Sequence, residues 1–98
     1  MYTISIKLDM NRIPKDAFDA LREKHHIWYK TYFNAGKFLI FGTRPDDSGE
    51  SLIIAQGTKE ELDEAVQFDA YYADQLATYD IREYKVSLFN EAIKNYID

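Results

Sequence analysis

Lys37-Phe-Leu-Ile-Phe-Gly42 and Ser51-Leu-Ile-Ile-Ala-Gln56 are two apolar runs of strand length. Between them, Arg44-Pro-Asp-Asp-Ser-Gly-Glu50 is dense in turn formers. The three pieces together spell a β-hairpin, and what flanks that hairpin decides the fold. Upstream, Phe18, Leu21, His25, Trp28, Tyr32 and Ala35 recur at steps of three and four, the spacing of one helix face. Pro14 suits the first turn of that helix, which runs to about Asn34, where Gly36 is placed to stop it. Downstream, Gly57-Thr58 opens a second helix. Thr58 with Glu61 three residues on has the form of a capping box. Leu62, Ala65, Val66 and Asp69 share one stripe of it, and a further helical turn continues from Tyr72 to Leu76.

Two outer strands complete the pattern. Tyr2, Ile4, Ile6 and Leu8 alternate with Thr3, Ser5 and Lys7, as in a strand buried on one side. Tyr79 to Phe89 reads as the last strand, with Tyr84, Val86 and Leu88 on one face. Asn90 to Asp98 reads as a short terminal helix carrying Ala92, Ile93 and Tyr96. The order is β-α-β-β-α-β. Its simplest packing is a ferredoxin-like α+β fold: a four-stranded antiparallel sheet with both helices on one face. Right-handed crossovers set the helices side by side, each with its apolar stripe on the same sheet.

The 98 residues suit a single domain, with residues 1–89 as the core and 90–98 as a C-terminal extension. Phe38 to Phe41 and Leu52 to Ala55 are apolar on both faces, whereas two helices cover only one face of a sheet. The other face therefore calls for cover. A second copy of the chain would supply it, as a homodimer through the open sheet face. The competing arrangement folds Tyr84 and the C-terminal segment back over it.

Twelve Lys and Arg against seventeen Asp and Glu give a net charge of −5. An acidic chain without a basic stripe is poorly made for nucleic acid, because phosphate neutralisation supplies most non-specific affinity. Anionic lipid repels it too. With no cysteine there is no disulfide framework and no thiolate chemistry. Neither a secretory signal nor a membrane span is visible, so a cytoplasmic location is expected.

One ionisable residue interrupts each helical stripe: His25 on the first and Asp69 on the second. A buried charge is costly unless partnered, which makes the two candidates for each other. A carboxylate on an imidazole fixes its tautomer and balances the imidazolium, leaving the other ring nitrogen to move a substrate proton. The plainer reading has His25 bonded to a backbone carbonyl and Asp69 capping a helix or facing solvent. His26 lies about 100° around the helix from His25 and so is not its metal-binding partner; no metal site and no cofactor are expected. Arg22, one turn before His25, is placed to reach an anionic group or to sit solvated. Gly42 leaves room for a ligand near the backbone or simply ends a strand. Ser51 points a hydroxyl into a pocket or simply begins a strand. Trp28, Phe41, Tyr71 and Tyr72 line an aromatic pocket or pack in the core.

Arg22-Glu-Lys-His25, Gly36 eleven residues on and Gly42 six further resemble the opening of YciI-like (YCII-related) proteins. Ser51-Leu-Ile-Ile-Ala55 is similar to that family's third strand, and Phe68-Asp-Ala-Tyr71 to its Asp-Pro-Tyr/Phe segment. The resemblance spans Met1 to about Leu88. It departs at Thr43 and Ala70, where the family usually has Pro, at Glu50, where Gly often stands, and in a shorter hairpin loop. It implies a dimeric α+β barrel with an active site built on His25 and Asp69. Some relatives take part in breakdown of hydroxylated or chlorinated aromatics, including elimination of chloride. The expected function is thus a small cofactor-independent enzyme. Its His25–Asp69 pair would isomerise, eliminate or hydrolyse a small, hydroxylated aromatic or lactone-like molecule, with Arg22, Gly42, Ser51 and Tyr71 contacting it. The alternatives are a non-catalytic ligand-binding or interaction domain of the same architecture, and a cofactor-independent oxygenase of quinol-like substrates.

Overall fold

The computed structural model describes residues 1–96. Four strands form one antiparallel sheet: β1 (Tyr2–Leu8), β2 (Phe38–Thr43), β3 (Glu50–Ala55) and β4 (Ala77–Glu83), in the order β2-β3-β1-β4. Helix α1 (Phe18–Asn34) joins β1 to β2, and α2 (Lys59–Val66) lies between β3 and β4. This is the ferredoxin-like α+β arrangement.

Alternation in β1 decides which face is the core. Tyr2, Ile4 and Ile6 are buried, and the register lines them up with Ala55, Ile53 and Ser51 on β3 and with Glu83, Ile81 and Tyr79 on β4. A bulge at Leu39 resets β2 so that Phe38 and Phe41 both face the helices. The main core joins these residues to Trp28, Leu62 and Val66. A smaller cluster of Ile13, Tyr71 and Leu76 closes one end.

Local chemistry sets the helix ends. At the end of α1, Gly36 N–H donates to the Phe33 carbonyl and Lys37 N–H to the Tyr32 carbonyl. That pair of bonds needs a left-handed residue between them, and Gly36 supplies it at φ +78°. At the start of α2 both halves of the capping box are made: Glu61 N–H donates to the Thr58 hydroxyl, and Thr58 N–H to the Glu61 carboxylate. Before α1, Lys15–Ala17 form a 3₁₀ turn rather than the first turn of the helix itself.

Three expectations need correction. Helix α2 ends at Val66, short of Asp69. Gln67, Phe68 and Asp69 each donate to the carbonyl three residues back, so the chain tightens into a 3₁₀-like turn that carries Asp69. The last strand begins at Ala77 and ends at Glu83 instead of running from Tyr79 to Phe89. Its partner β1 starts at Tyr2, opposite Glu83, and one further bond runs from Tyr84 N–H to the Met1 carbonyl. The terminal helix is a 3₁₀ run, Glu91–Tyr96, and Asp98 lies outside the described residues.

The second sheet face is open. Ile40, Leu52 and Ile54 make its apolar half on β2 and β3; Lys7, Asp80 and Arg82 make a charged half on β1 and β4. The C-terminal segment leaves that face uncovered, and its own Leu88 is 94% exposed. Among the described residues no helix is long and apolar enough to cross a membrane.

Candidate active site

Two helical elements and one strand bring three side chains together under the sheet. His25 faces inward from the middle of α1, Asp69 from the turn after α2, and Tyr79 from β4. His25 Nδ1 lies 2.7 Å from Asp69 Oδ1, and the Tyr79 hydroxyl donates to Asp69 Oδ2 at 2.5 Å. The Asp69 side chain is wholly buried and that of His25 is 12% exposed. A buried carboxylate requires compensation, and here each oxygen has one donor. Because a carboxylate accepts, the hydrogen of the neutral ring sits on Nδ1 and the lone pair on Nε2. Nε2 has no hydrogen bond among the described residues. No buried side-chain nitrogen or oxygen there lacks a partner, so Nε2 is reached by solvent.

Aromatic rings fix the plane of the imidazole. Trp28 stacks on His25 at 5.5 Å between centroids, and Tyr29, Tyr71 and Phe41 surround it at 5.4, 5.2 and 6.1 Å. His25 thus stands at the seam between the two apolar clusters, touching Trp28 of one and Tyr71 of the other. Trp28 also donates its indole N–H to the Ala65 carbonyl at 2.9 Å, which ties α1 to the last turn of α2. That bond holds the His25 and Asp69 elements at a fixed spacing.

Beside the imidazole opens a cleft of about 580 Å³. Phe18, Arg22, His25, His26 and Tyr29 line it from α1, Phe41 and Thr43 from β2, and Ser51 from β3; the buried Tyr71 lines it as well. The hairpin turn brings Arg44, Asp47 and Gly49 to its mouth. Arg44 is engaged with Asp46 at 2.9 Å and Glu50 at 3.9 Å. His26 points its Nδ1 to the Tyr29 hydroxyl. Among the described residues, no three His, Cys, Asp or Glu side chains gather as a metal-binding group.

Of the residues singled out from sequence, His25, Asp69, Arg22, Ser51 and Tyr71 come together here. Gly42 does not. Strand alternation sends Phe41 and Thr43 toward the helices and Gly42 to the open sheet face, where it lines a separate hollow with Ser5, Leu52 and Asp80. Tyr72 also stays outside the cleft and packs on Tyr79 at 5.7 Å. Sequence reasoning passed over Tyr29 and Tyr79. Tyr29 was findable, since it is one helical turn after His25 and on the same side; it stacks on Phe41 at 3.9 Å.

Burial, the hydrogen bond to Asp69 and the Asp69 charge together push the Tyr79 phenol far above its ordinary range. Burial also raises Tyr71 and Tyr29, against a lowering influence from Arg22. All three are therefore hydrogen-bond donors at working pH. In the denatured chain Tyr79 ionises near pH 10, whereas the native state keeps its proton, so its contribution is complete below pH 10 and is lost as pH rises beyond. Urea midpoints taken from pH 8 to 11 should fall more gently above about pH 10 in Tyr79→Phe than in wild type.

Comparison with known proteins comes down to structure. A solved structure similar to this one is 5-chloro-2-hydroxyhydroquinone dehydrochlorinase (TftG) from Burkholderia phenoliruptrix AC1100, in complex with 2,5-dihydroxybenzoquinone. The match covers 89% of this chain and 96% of that one, with a TM-score of 0.63. The chain shares that enzyme's fold. Sequence identity is 15%, so the likeness is one of architecture alone. No protein-family model and no curated protein matches the chain.

Proposed function

We propose that the chain is a small, cofactor-independent acid–base enzyme of YciI-like type, acting on a small hydroxylated aromatic or lactone-like molecule. The observation that carries this reading is the His25–Asp69 contact, with the far ring nitrogen open to an aromatic-walled cleft. A buried acid holding a mostly buried imidazole in one tautomer is the arrangement a general base requires. Nε2 takes a proton from a ring hydroxyl or an activated carbon. The electron pair left behind moves into the ring or carbonyl system. It then expels a leaving group or is reprotonated at another atom, giving elimination or isomerisation. Asp69 balances the imidazolium until the proton is returned. Phe41, Tyr29 and Tyr71 suit a planar ring, and Arg22, Ser51 and Tyr71 supply its polar contacts. The fold shared with a dehydrochlorinase of a hydroxylated aromatic supports the same class of substrate.

The proposal includes a homodimer formed through the open sheet face, whose apolar half of Ile40, Leu52 and Ile54 is otherwise left in water. Residues 1–89 are the working core in this reading and 90–98 an extension.

The test is turnover of a panel of phenols, chlorinated hydroquinones and lactones by wild type and by His25→Ala. Loss of the imidazole should lower turnover by about 10²–10⁴-fold, the usual worth of a general base, while the circular dichroism spectrum is unchanged. Compounds that bind both proteins equally, with turnover by neither, would make the chain a ligand-binding domain.

A further inference from the structure

Arg22 and Tyr71 make an arrangement that proton transfer at His25 does not use. The chain has four arginines. Arg12 donates to the Gln75 carbonyl, Arg44 pairs with Asp46 and Glu50, and Arg82 pairs with Asp80. Only Arg22 has no hydrogen bond or ion pair among the described residues, in a chain whose net charge is −5. It lines the same cleft as His25.

Tyr71 gives the second, independent observation. It is 1% exposed, yet its hydroxyl has no hydrogen-bond partner among the described residues. No buried side-chain oxygen there is left unsatisfied, so the little surface that Tyr71 keeps includes that hydroxyl, and Tyr71 lines the cleft. A phenol packed this tightly, whose hydroxyl has no protein partner, is a fixed donor free for an acceptor in the cleft that the residue lines. Its ring centroid is 5.2 Å from that of His25. Arg22, Tyr29 and Tyr71 line the same cleft. A guanidinium and a neutral phenol lining one cleft offer a charge and a directed hydrogen bond to the same anion, and a planar carboxylate matches the guanidinium fork.

We propose that the substrate of this cleft carries a carboxylate, seated between the Arg22 guanidinium and the Tyr71 hydroxyl with its ring against His25. This rests on the reading of the cleft as the substrate site and narrows the substrate to an aromatic or lactone acid. Arg22 and Tyr71 are then determinants of specificity, whereas His25 and Asp69 handle the proton.

Two probes that differ by one group test it: 2,5-dihydroxybenzoate and hydroquinone. Their affinities are measured by calorimetry and by shifts of the His25 ring resonances, in wild type, Arg22→Gln and Tyr71→Phe. The acid should bind wild type roughly ten- to a hundredfold tighter than hydroquinone, as expected for charge-assisted bonds. Raising the salt concentration should narrow that gap. Each variant should reduce the preference at least severalfold, the affinity for the acid falling by more than that for hydroquinone. Tyr71→Phe removes one oxygen from a packed ring, and its melting curve separates a lost contact from a lost fold. Equal affinities in wild type, or a preference that survives both variants, would overturn the subsite alone. Failure of both probes to perturb His25 would overturn the subsite and the aromatic reading of the cleft together.

Discussion

Asp69→Asn is expected to lower turnover by about 10²–10⁴-fold while leaving the protein folded. Asparagine fills the space of aspartate but has one acceptor oxygen where the acid has two. The Tyr79 hydroxyl, half-buried and held to its proton by burial, takes that oxygen. The amide NH₂ then faces His25 Nδ1, which must accept. The ring proton moves to Nε2, the atom that opens on the cleft, and the base is lost although every side chain stays in place. Nitrogen-15 shifts of the imidazole read this exchange directly: Nδ1-protonated in wild type, Nε2-protonated in the variant. A variant that keeps the wild-type tautomer and the wild-type rate would show that the carboxylate neither orients nor charges the ring.

The largest effect on stability is expected at Trp28. Truncation to alanine opens a cavity between the helices and the sheet and removes the indole bond to the Ala65 carbonyl. Large aromatic deletions of this kind cost about 3–5 kcal/mol, a large share of the ~5–15 kcal/mol that holds a domain together. Urea unfolding should show a midpoint lowered accordingly with an unchanged slope. Any folded fraction should bind ligand poorly, because Trp28 also stacks on His25 and spaces α1 from the Asp69 turn. A loss below about 1 kcal/mol would mean that the surroundings collapse into the space, and that the two helices are held mainly by the sheet.

Much of the fold was legible because local and long-range signals agreed. The alternation of β1, the hairpin, the Gly36 stop and the Thr58–Glu61 cap each have one physical solution, and the structure adopts it. His25 and Asp69 stood out because a polar group on an apolar stripe must be paired. The end of α2 was less legible: a 3₁₀ turn keeps a residue on nearly the same face as an α-helix, so the stripe pattern does not reveal the change.

Strand β4 shows a true ambiguity. Apolar residues fall on odd positions at Ala77, Tyr79 and Ile81, then on even ones at Tyr84, Val86 and Leu88. Either parity makes a half-buried strand. Pairing decides for the first: Ala77 to Glu83 lie opposite Leu8 to Tyr2 of β1. Tyr79, the second donor to Asp69, was hidden by the same competition. Gly42 was misplaced for a related reason. Its face depends on the bulge at Leu39, and an apolar run on both sides of a strand gives no sign of its phase.

The imidazole and its acid are 44 residues apart along the chain. Neither half of the polypeptide holds both, and no single hairpin or helix pair cut from it would. Loosening α1 or the turn after α2 separates the pair. Any assay of the dyad therefore doubles as a gauge of whether the two crossovers have docked on one sheet.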